Sequence, residues 1–176
     1  VPRTRLPGPR PRKSLGQHFL RDTGILQDIA AAVRCPERGV VLEIGPGTGQ
    51  LTEYLLAKGC HVVALEIEDR MIAHLERRFA GDPRLRVVPG DARLFDPAEV
   101  IPPGMPFAVA GNLPYFAANP IIRHLLESFP KPVEMVVMVQ REVAREIAAA
   151  EGDWSLLTIS VRVYAETELL FDVAPE

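Results

Sequence analysis

Short apolar runs and amphipathic stretches alternate along this chain. "VVLEIG" (40–45), "HVVALE" (61–66), "LRVVP" (85–89), "FAVAGN" (107–112) and "EMVVMVQ" (134–140) have the length and β-branched content of buried strands. Between them, apolar residues return at helical spacing. In "DTGILQDIAAAVR" (22–34) they are Ile25, Leu26, Ile29, Ala30 and Val33, with Asp22 or Thr23 as the cap. "QLTEYLLAKG" (50–59) and "EDRMIAHLERRFAG" (68–81) read as helices stopped by glycine. Pro120 suits the first turn of a helix reaching about Ser128, and "REVAREIAAA" (141–150) is a further helix. The alternation predicts an α/β fold, a mostly parallel sheet with helices on both faces. Such sheets bind ligands at the carboxyl ends of their strands.

The pattern is less decisive near the end of the chain. "LLTISVRVY" (156–164) alternates apolar and polar residues and is rich in β-branched ones, which argues for a strand. Yet five strands precede it without a return helix of comparable length, so helix and strand both stay open. "ETELLFDV" (166–173) reads as a strand. Residues 1–13, with four prolines, read as extended or disordered.

Composition sets bounds. The chain has 176 residues, 47% hydrophobic and 24% charged, with a net charge of −3, which suits one globular domain with a sizeable core. No apolar run approaches the ~20 residues of a membrane span, and the Pro/Arg-rich N-terminus lacks the apolar stretch of a signal peptide. Cys35 and Cys60 match no metal-ligand spacing and read as reduced core residues of a cytoplasmic protein. The small net charge hides an asymmetry. Arg3, Arg5, Arg10, Arg12, Lys13 and Arg21 fall in residues 1–21 with no acid, which leaves −9 on the rest. A basic arm on an acidic body suits contact with a polyanion, or is a solvated tail. Arg141 and Arg145 are weaker candidates for phosphate contact, because Glu142 and Glu146 make theirs a solvated helix face.

The chemically informative residues cluster at predicted strand ends. "EIGPGTGQ" (43–50) places Gly45, Gly47 and Gly49 between the first strand and a helix, where the backbone must turn sharply and approach a ligand. It departs from a dinucleotide fingerprint, because Gln50 stands where a third spaced glycine belongs and Pro46 removes a donor. Glu66 ends the second strand, where a carboxylate can accept ribose hydroxyls. Glu43 either points into the cleft, favouring a cationic ligand, or caps a loop or helix. Asp91, in "GDA", can accept from an adenine amine beside the Ala92 backbone, or is a turn residue. "GNLPY" (111–115) ends the fourth strand with an amide, a rigid turn and an aromatic face. His61, His74 and His124 have no evident partners and read as incidental.

In their order and spacing, "LGQHFL", "EIGPGTG", "LEIE", "GDA" and "GNLPY" resemble the ribosomal RNA adenine N6-dimethyltransferases, relatives of the erythromycin-resistance rRNA methylases. The resemblance covers about residues 13–176. It implies the class I S-adenosylmethionine-dependent methyltransferase fold, Rossmann-like, in a monomer. It also implies methylation of small-subunit (16S) rRNA, free or in a 30S precursor particle, to N6,N6-dimethyladenosine. His18, Leu20, Gly45, Gly47, Glu66, Ile67, Asp91, Ala92 and Asn112 would hold the cofactor. Asn112, Leu113, Pro114 and Tyr115 would form the catalytic motif, with no metal. Residues 1–21 would be a basic arm with a cofactor-covering segment, and 22–176 the catalytic core, ending before a C-terminal RNA-binding domain. Many relatives have Asn at His18, and usually Tyr-Gly where this chain has Trp154 and Ser155. The family makes 155–165 a helix. A DNA adenine methylase is disfavoured by "GQHFL", and a nicotinamide-dependent dehydrogenase by Gln50. A non-enzymatic ribosome-assembly or transcription factor on the same scaffold is the remaining alternative.

Overall fold

The computed structural model describes Leu20 and residues 22–173. Five strands form one parallel sheet: β1 (Val40–Ile44), β2 (Val62–Glu66), β3 (Leu85–Pro89), β4 (Phe107–Asn112) and β5 (Glu134–Met138), in the order β3-β2-β1-β4-β5. The chain winds outward from β1 to β3, then returns to lay β4 on the other side of β1. This reversal opens a crevice above the ends of β1 and β4.

Side-chain alternation divides the core into two layers. Val41, Ala64, Ala108 and Ala110 face α1 (Thr23–Ala32), α2 (Gln50–Ala57) and α3 (Asp69–Arg78), and are covered by Leu26, Ile29, Leu55, Leu75 and Phe79. Leu42, Ile44, Val63, Leu65 and Val109 face the other way. They pack on α4 (Ala118–Glu127) through Ile121, Ile122 and Leu125, on Phe95 and Ile101, and on Val161. The same parity puts Glu43, Glu66 and Asn112 all on the α1–α3 side.

The helix ends are satisfied by specific groups. The Asp22 carboxylate accepts from the Gly24 and Ile25 N–H groups at 2.8 and 3.1 Å and starts α1. At its other end, Lys58 Nζ donates to the carbonyls of Ala30, Ala31 and Val33 at 2.9, 2.8 and 2.5 Å. One ammonium thereby meets three otherwise orphaned acceptors and complements the helix dipole. Between β1 and β4 the backbones nearly touch: a Cβ on Gly111 would lie 2.7 Å from the Ile44 carbonyl oxygen.

Residues 156–164 resolve as α6 (Leu156–Arg162), preceded by α5 (Arg141–Ile147). Ser155 and Thr158 form a reciprocal capping box at 3.1 and 3.2 Å. The fully buried Thr158 hydroxyl donates to the Glu146 carbonyl at 2.6 Å, so Thr158 joins Val161 on one inward helical face. Ser155 is therefore the N-cap, and Trp154 stacks 5.4 Å from the Arg162 guanidinium. The strand expected at 166–173 does not form, since β5 pairs only with β4 among the described residues. Thr167 instead donates to the Ile147 carbonyl at 3.3 Å.

The cysteines also depart from expectation. Cys35 and Cys60 are joined in a disulfide, with Cα atoms 5.3 Å apart. Their distance in sequence concealed that the ends of α1 and α2 converge below β1 and β2. Among the described residues no helix is long and apolar enough to cross a membrane, and no group of three or more His, Cys, Asp or Glu is placed to hold a metal ion.

Candidate active site

The turn after β1 is shaped by glycine. Gly45, Gly47 and Gly49 have φ of +62°, +56° and +80°. Gly49 has a second constraint: a Cβ there would lie 2.6 Å from Phe79 Cε2 and 2.7 Å from Leu75 Cδ2 of α3. At Gly45 nothing lies within 4 Å of the corresponding position, so that side of the loop faces open space. The loop is anchored from behind. The Gly45 N–H donates to the Leu65 carbonyl at 3.0 Å, and the Arg78 guanidinium donates to the Thr48 carbonyl at 2.5 Å. Arg78 also pairs with Glu53.

Glu66 sits beside this loop, buried and held by backbone. Its Oε1 accepts from the Ile67 and Glu68 N–H groups at 2.9 and 3.0 Å, and its Oε2 from the Gly47 N–H at 3.1 Å. Burial pushes its pKa up, while the Gly47 and Ile67 N–H groups pull it back. Three donors leave an acceptor lone pair on Oε2 for one hydroxyl of a ligand. Exposed Ile67 stands next to it as an apolar wall.

Glu43 lies beneath the loop, 1% exposed, with Oε2 accepting from the Thr52 hydroxyl at 2.6 Å. Burial raises its pKa to about 7, against the opposing pull of the Thr52 hydrogen bond. It ties β1 to α2 and does not line an open cleft.

Asp91 follows β3 and serves a turn, its carbonyl accepting from the Leu94 and Phe95 N–H groups, each at 2.9 Å. Its carboxylate is gripped by Arg93, which holds its pKa below the usual range. Ala92 is buried beneath it.

Across the reversal point, Asn112 closes β4, in register with Met138. The Leu113 N–H donates to the Met138 carbonyl at 3.0 Å, and the Leu113 side chain is buried. Pro114 then turns the chain, its carbonyl accepting from the Ala117 N–H at 2.9 Å. Tyr115 is presented 48% exposed and Phe116 61% exposed. Phe116 escaped the sequence reading; its signal was a second aromatic directly after the motif.

The remaining expected residues are distributed as follows. Leu20 packs against the α1–α2 layer. His18 and the basic residues of 1–21 lie outside the described residues. Arg141 and Arg145 both approach Asp172, at 3.2 and 3.6 Å. Two histidines taken as incidental have partners. His124 Nε2 is 2.8 Å from the Phe95 carbonyl oxygen, and buried His74 meets the Thr48 backbone behind the glycine loop.

Comparison with known proteins bears on this arrangement. The chain is 42% identical over 159 residues to ribosomal RNA small subunit methyltransferase A of Dehalococcoides mccartyi, covering 90% of this chain and 55% of the relative. It is also 42% identical to the Methylococcus capsulatus protein of that name, covering 94% and 65%. It thus spans little more than half the length of the first of these. Among solved structures, a dimethyladenosine transferase from Plasmodium falciparum superposes with a TM-score of 0.69 at 34% identity, covering 83% of this chain and 52% of that one. The 23S rRNA methyltransferase ErmE superposes with a TM-score of 0.68 at 32% identity, covering 81% and 56%. The sheet and its flanking helices have the class I methyltransferase fold. The family profile described as ribosomal RNA adenine dimethylase matches residues 8–176, and the chain belongs to that family.

Proposed function

We propose that this chain is the catalytic part of an enzyme that transfers methyl groups from S-adenosylmethionine to N6 of adenines in small-subunit rRNA, giving N6,N6-dimethyladenosine. The carrying observation is the placement of Asn112–Tyr115 at the end of β4, directly across the strand reversal from the glycine loop and Glu66. The residues present fit the cofactor: a glycine cradle open at Gly45, and a buried carboxylate with a lone pair left on Oε2. Glu66 would take a ribose hydroxyl, Asp91 and Ala92 the adenine edge, Ile67 the adenine face, and Gly45 and Gly47 the methionine part. His18 and Leu20 would cover the site. When bound, S-adenosylmethionine supplies a methyl group on a positively charged sulfur that is already a good leaving group.

The chain's own task is to present the target amine. The N6 lone pair of adenine is delocalised into the ring, which makes it a poor nucleophile. The Asn112 side-chain carbonyl and a backbone carbonyl near Leu113 would accept its two N–H groups. That pattern favours a pyramidal nitrogen with its lone pair directed away from both acceptors. Pro114 fixes the turn that aims those carbonyls. Tyr115 offers a stacking face, worth ~1–3 kcal/mol per base. The target must be unpaired or drawn from its helix. Positioning and fixed dipoles would supply the acceleration.

The test is mass spectrometry of digested small-subunit rRNA, free or as precursor particles, after incubation with the full-length protein and S-adenosylmethionine. N6,N6-Dimethyladenosine is the expected product. Binding to particles without methyl incorporation would replace this reading with an assembly factor on the same scaffold.

A further inference from the structure

Both acids expected to hold the cofactor carry donors, but of different kinds. Those on Glu66 are backbone N–H groups fixed by the fold. Asp91 is different. Its Oδ1 accepts from the Arg93 backbone N–H at 3.0 Å and from Arg93 Nε at 2.9 Å. Its Oδ2 accepts from Nε at 3.0 Å and from a terminal guanidinium nitrogen at 2.5 Å. A carboxylate offers about four lone-pair sites, and Arg93 addresses both oxygens twice. Three N–H groups make these four contacts, with Nε–H shared between both oxygens, so the guanidinium bridges the carboxylate and an amine arriving along that edge competes with it. The backbone contact belongs to the turn, but the guanidinium is held only by its own side chain, which is 47% exposed. It can swing into water without leaving a buried charge behind.

We propose that Arg93 is a latch on the cofactor site: its guanidinium competes with the exocyclic amine of an adenosyl ligand for Asp91, so that ligand affinity is set in part by opening of this pair. The proposal rests on the assignment of Asp91 to the adenine under the proposed function. Apparent affinity falls by the fraction of molecules whose site is competent. A bidentate pair this exposed is worth little, so the latch weakens binding about two- to fivefold. The coupling is reciprocal: an anion that draws the guanidinium away from Asp91 tightens the adenosyl ligand by the same factor.

The test is calorimetric titration of S-adenosylhomocysteine into wild-type protein, Arg93→Gln, Arg93→Ala, Asp91→Asn and the Asp91→Asn/Arg93→Ala double variant. Titrations run at about 50 and about 500 mM NaCl, which spans strong to weak interaction between exposed charges. S-Adenosylhomocysteine carries no net charge, so salt acts chiefly on the pair. At low salt both Arg93 variants should bind about two- to fivefold tighter than wild type. At high salt wild type should approach them, while they shift by less than about twofold. In the Asp91→Asn background, loss of Arg93 should change nothing. Equal or weaker binding by both Arg93 variants overturns the latch, as does a gain that persists without the Asp91 carboxylate. If wild type and both Arg93 variants all fail to bind, the cofactor assignment falls and the latch with it. Binding of equal strength in all three removes only the latch.

Discussion

Every residue of β2 is buried, whereas every residue of β5 is only half-buried. The contrast extends to the ends of the strands. Beyond β1 and β2 the polar groups are enclosed: Glu66 is held by three backbone N–H groups, Glu43 by Thr52, and the glycine loop is backed by Leu75, Arg78 and Phe79. Beyond β4 the chain shows an amide and two exposed aromatic rings. A small ligand that must be gripped in one orientation suits the first half, where desolvation strengthens each contact. A base that arrives on a polymer and must leave again suits the second, where stacking tolerates approach from solution.

Substitutions at the two ends should therefore fail differently. Asn112→Ala should lower methyl transfer about 10²–10³-fold. S-Adenosylhomocysteine affinity should fall far less, as read by radiolabel incorporation and calorimetry on the same preparation. Equal losses in both would move Asn112 to the cofactor side of the comparison. Gly49→Ala should act in the opposite sense. A left-handed backbone and a collision with Phe79 and Leu75 should cost about 3 kcal/mol in denaturant unfolding and weaken the cofactor along with it. A stable Gly49→Ala protein would show that α3 can yield.

Glu43 gives the enclosed half a pH signature. Its pKa rises from 4.5 unfolded to about 7 folded, so the folded state holds the proton more tightly. The sign follows: its contribution is full below pH 4.5 and is lost as pH rises through 7. Thermal unfolding followed between these limits should show that loss. Glu43→Gln, which still offers an acceptor to Thr52, should flatten the profile by on the order of 3 kcal/mol. A profile unchanged by Glu43→Gln would mean that water reaches Glu43. The smallest effect belongs to the open half. Tyr115→Ala should weaken rRNA binding by about 1–2 kcal/mol, while Tyr115→Phe stays near wild type. Loss in Tyr115→Phe as large as in Tyr115→Ala would assign the work to the hydroxyl instead of the ring.

The five strands were legible as short apolar runs rich in β-branched residues, most plainly in β1, β2 and β4, which are buried on both faces. β3 and β4 match the expected bounds residue for residue. Parity then places Glu66 and Asn112 on one face without further information. What escaped the sequence depended on partners far along the chain. Thr158 looked like the polar face of a strand because nothing in its neighbourhood announces that the Glu146 carbonyl will satisfy it inside the core. Residues 166–173 have the composition of a strand, yet among the described residues they leave the outer edge of β5 unpaired. The Cys35–Cys60 bond depends on where α1 and α2 end in space. The Arg93 grip on Asp91 spans only two residues, yet "GDAR" alone does not distinguish a grip from a solvated arginine.

Gly111 bears on redesign. With no room for a methyl group against the Ile44 carbonyl, it fixes how closely the floor under the amide can approach the loop across from it. An alanine there would push β4 sideways and carry the neighbouring amide with it. Besides straining the β1–β4 pairing, such a shift can remove most of a reaction that depends on alignment. Libraries meant to admit bulkier nucleobases would do better to vary the rings at 115 and 116 than the strand beneath them.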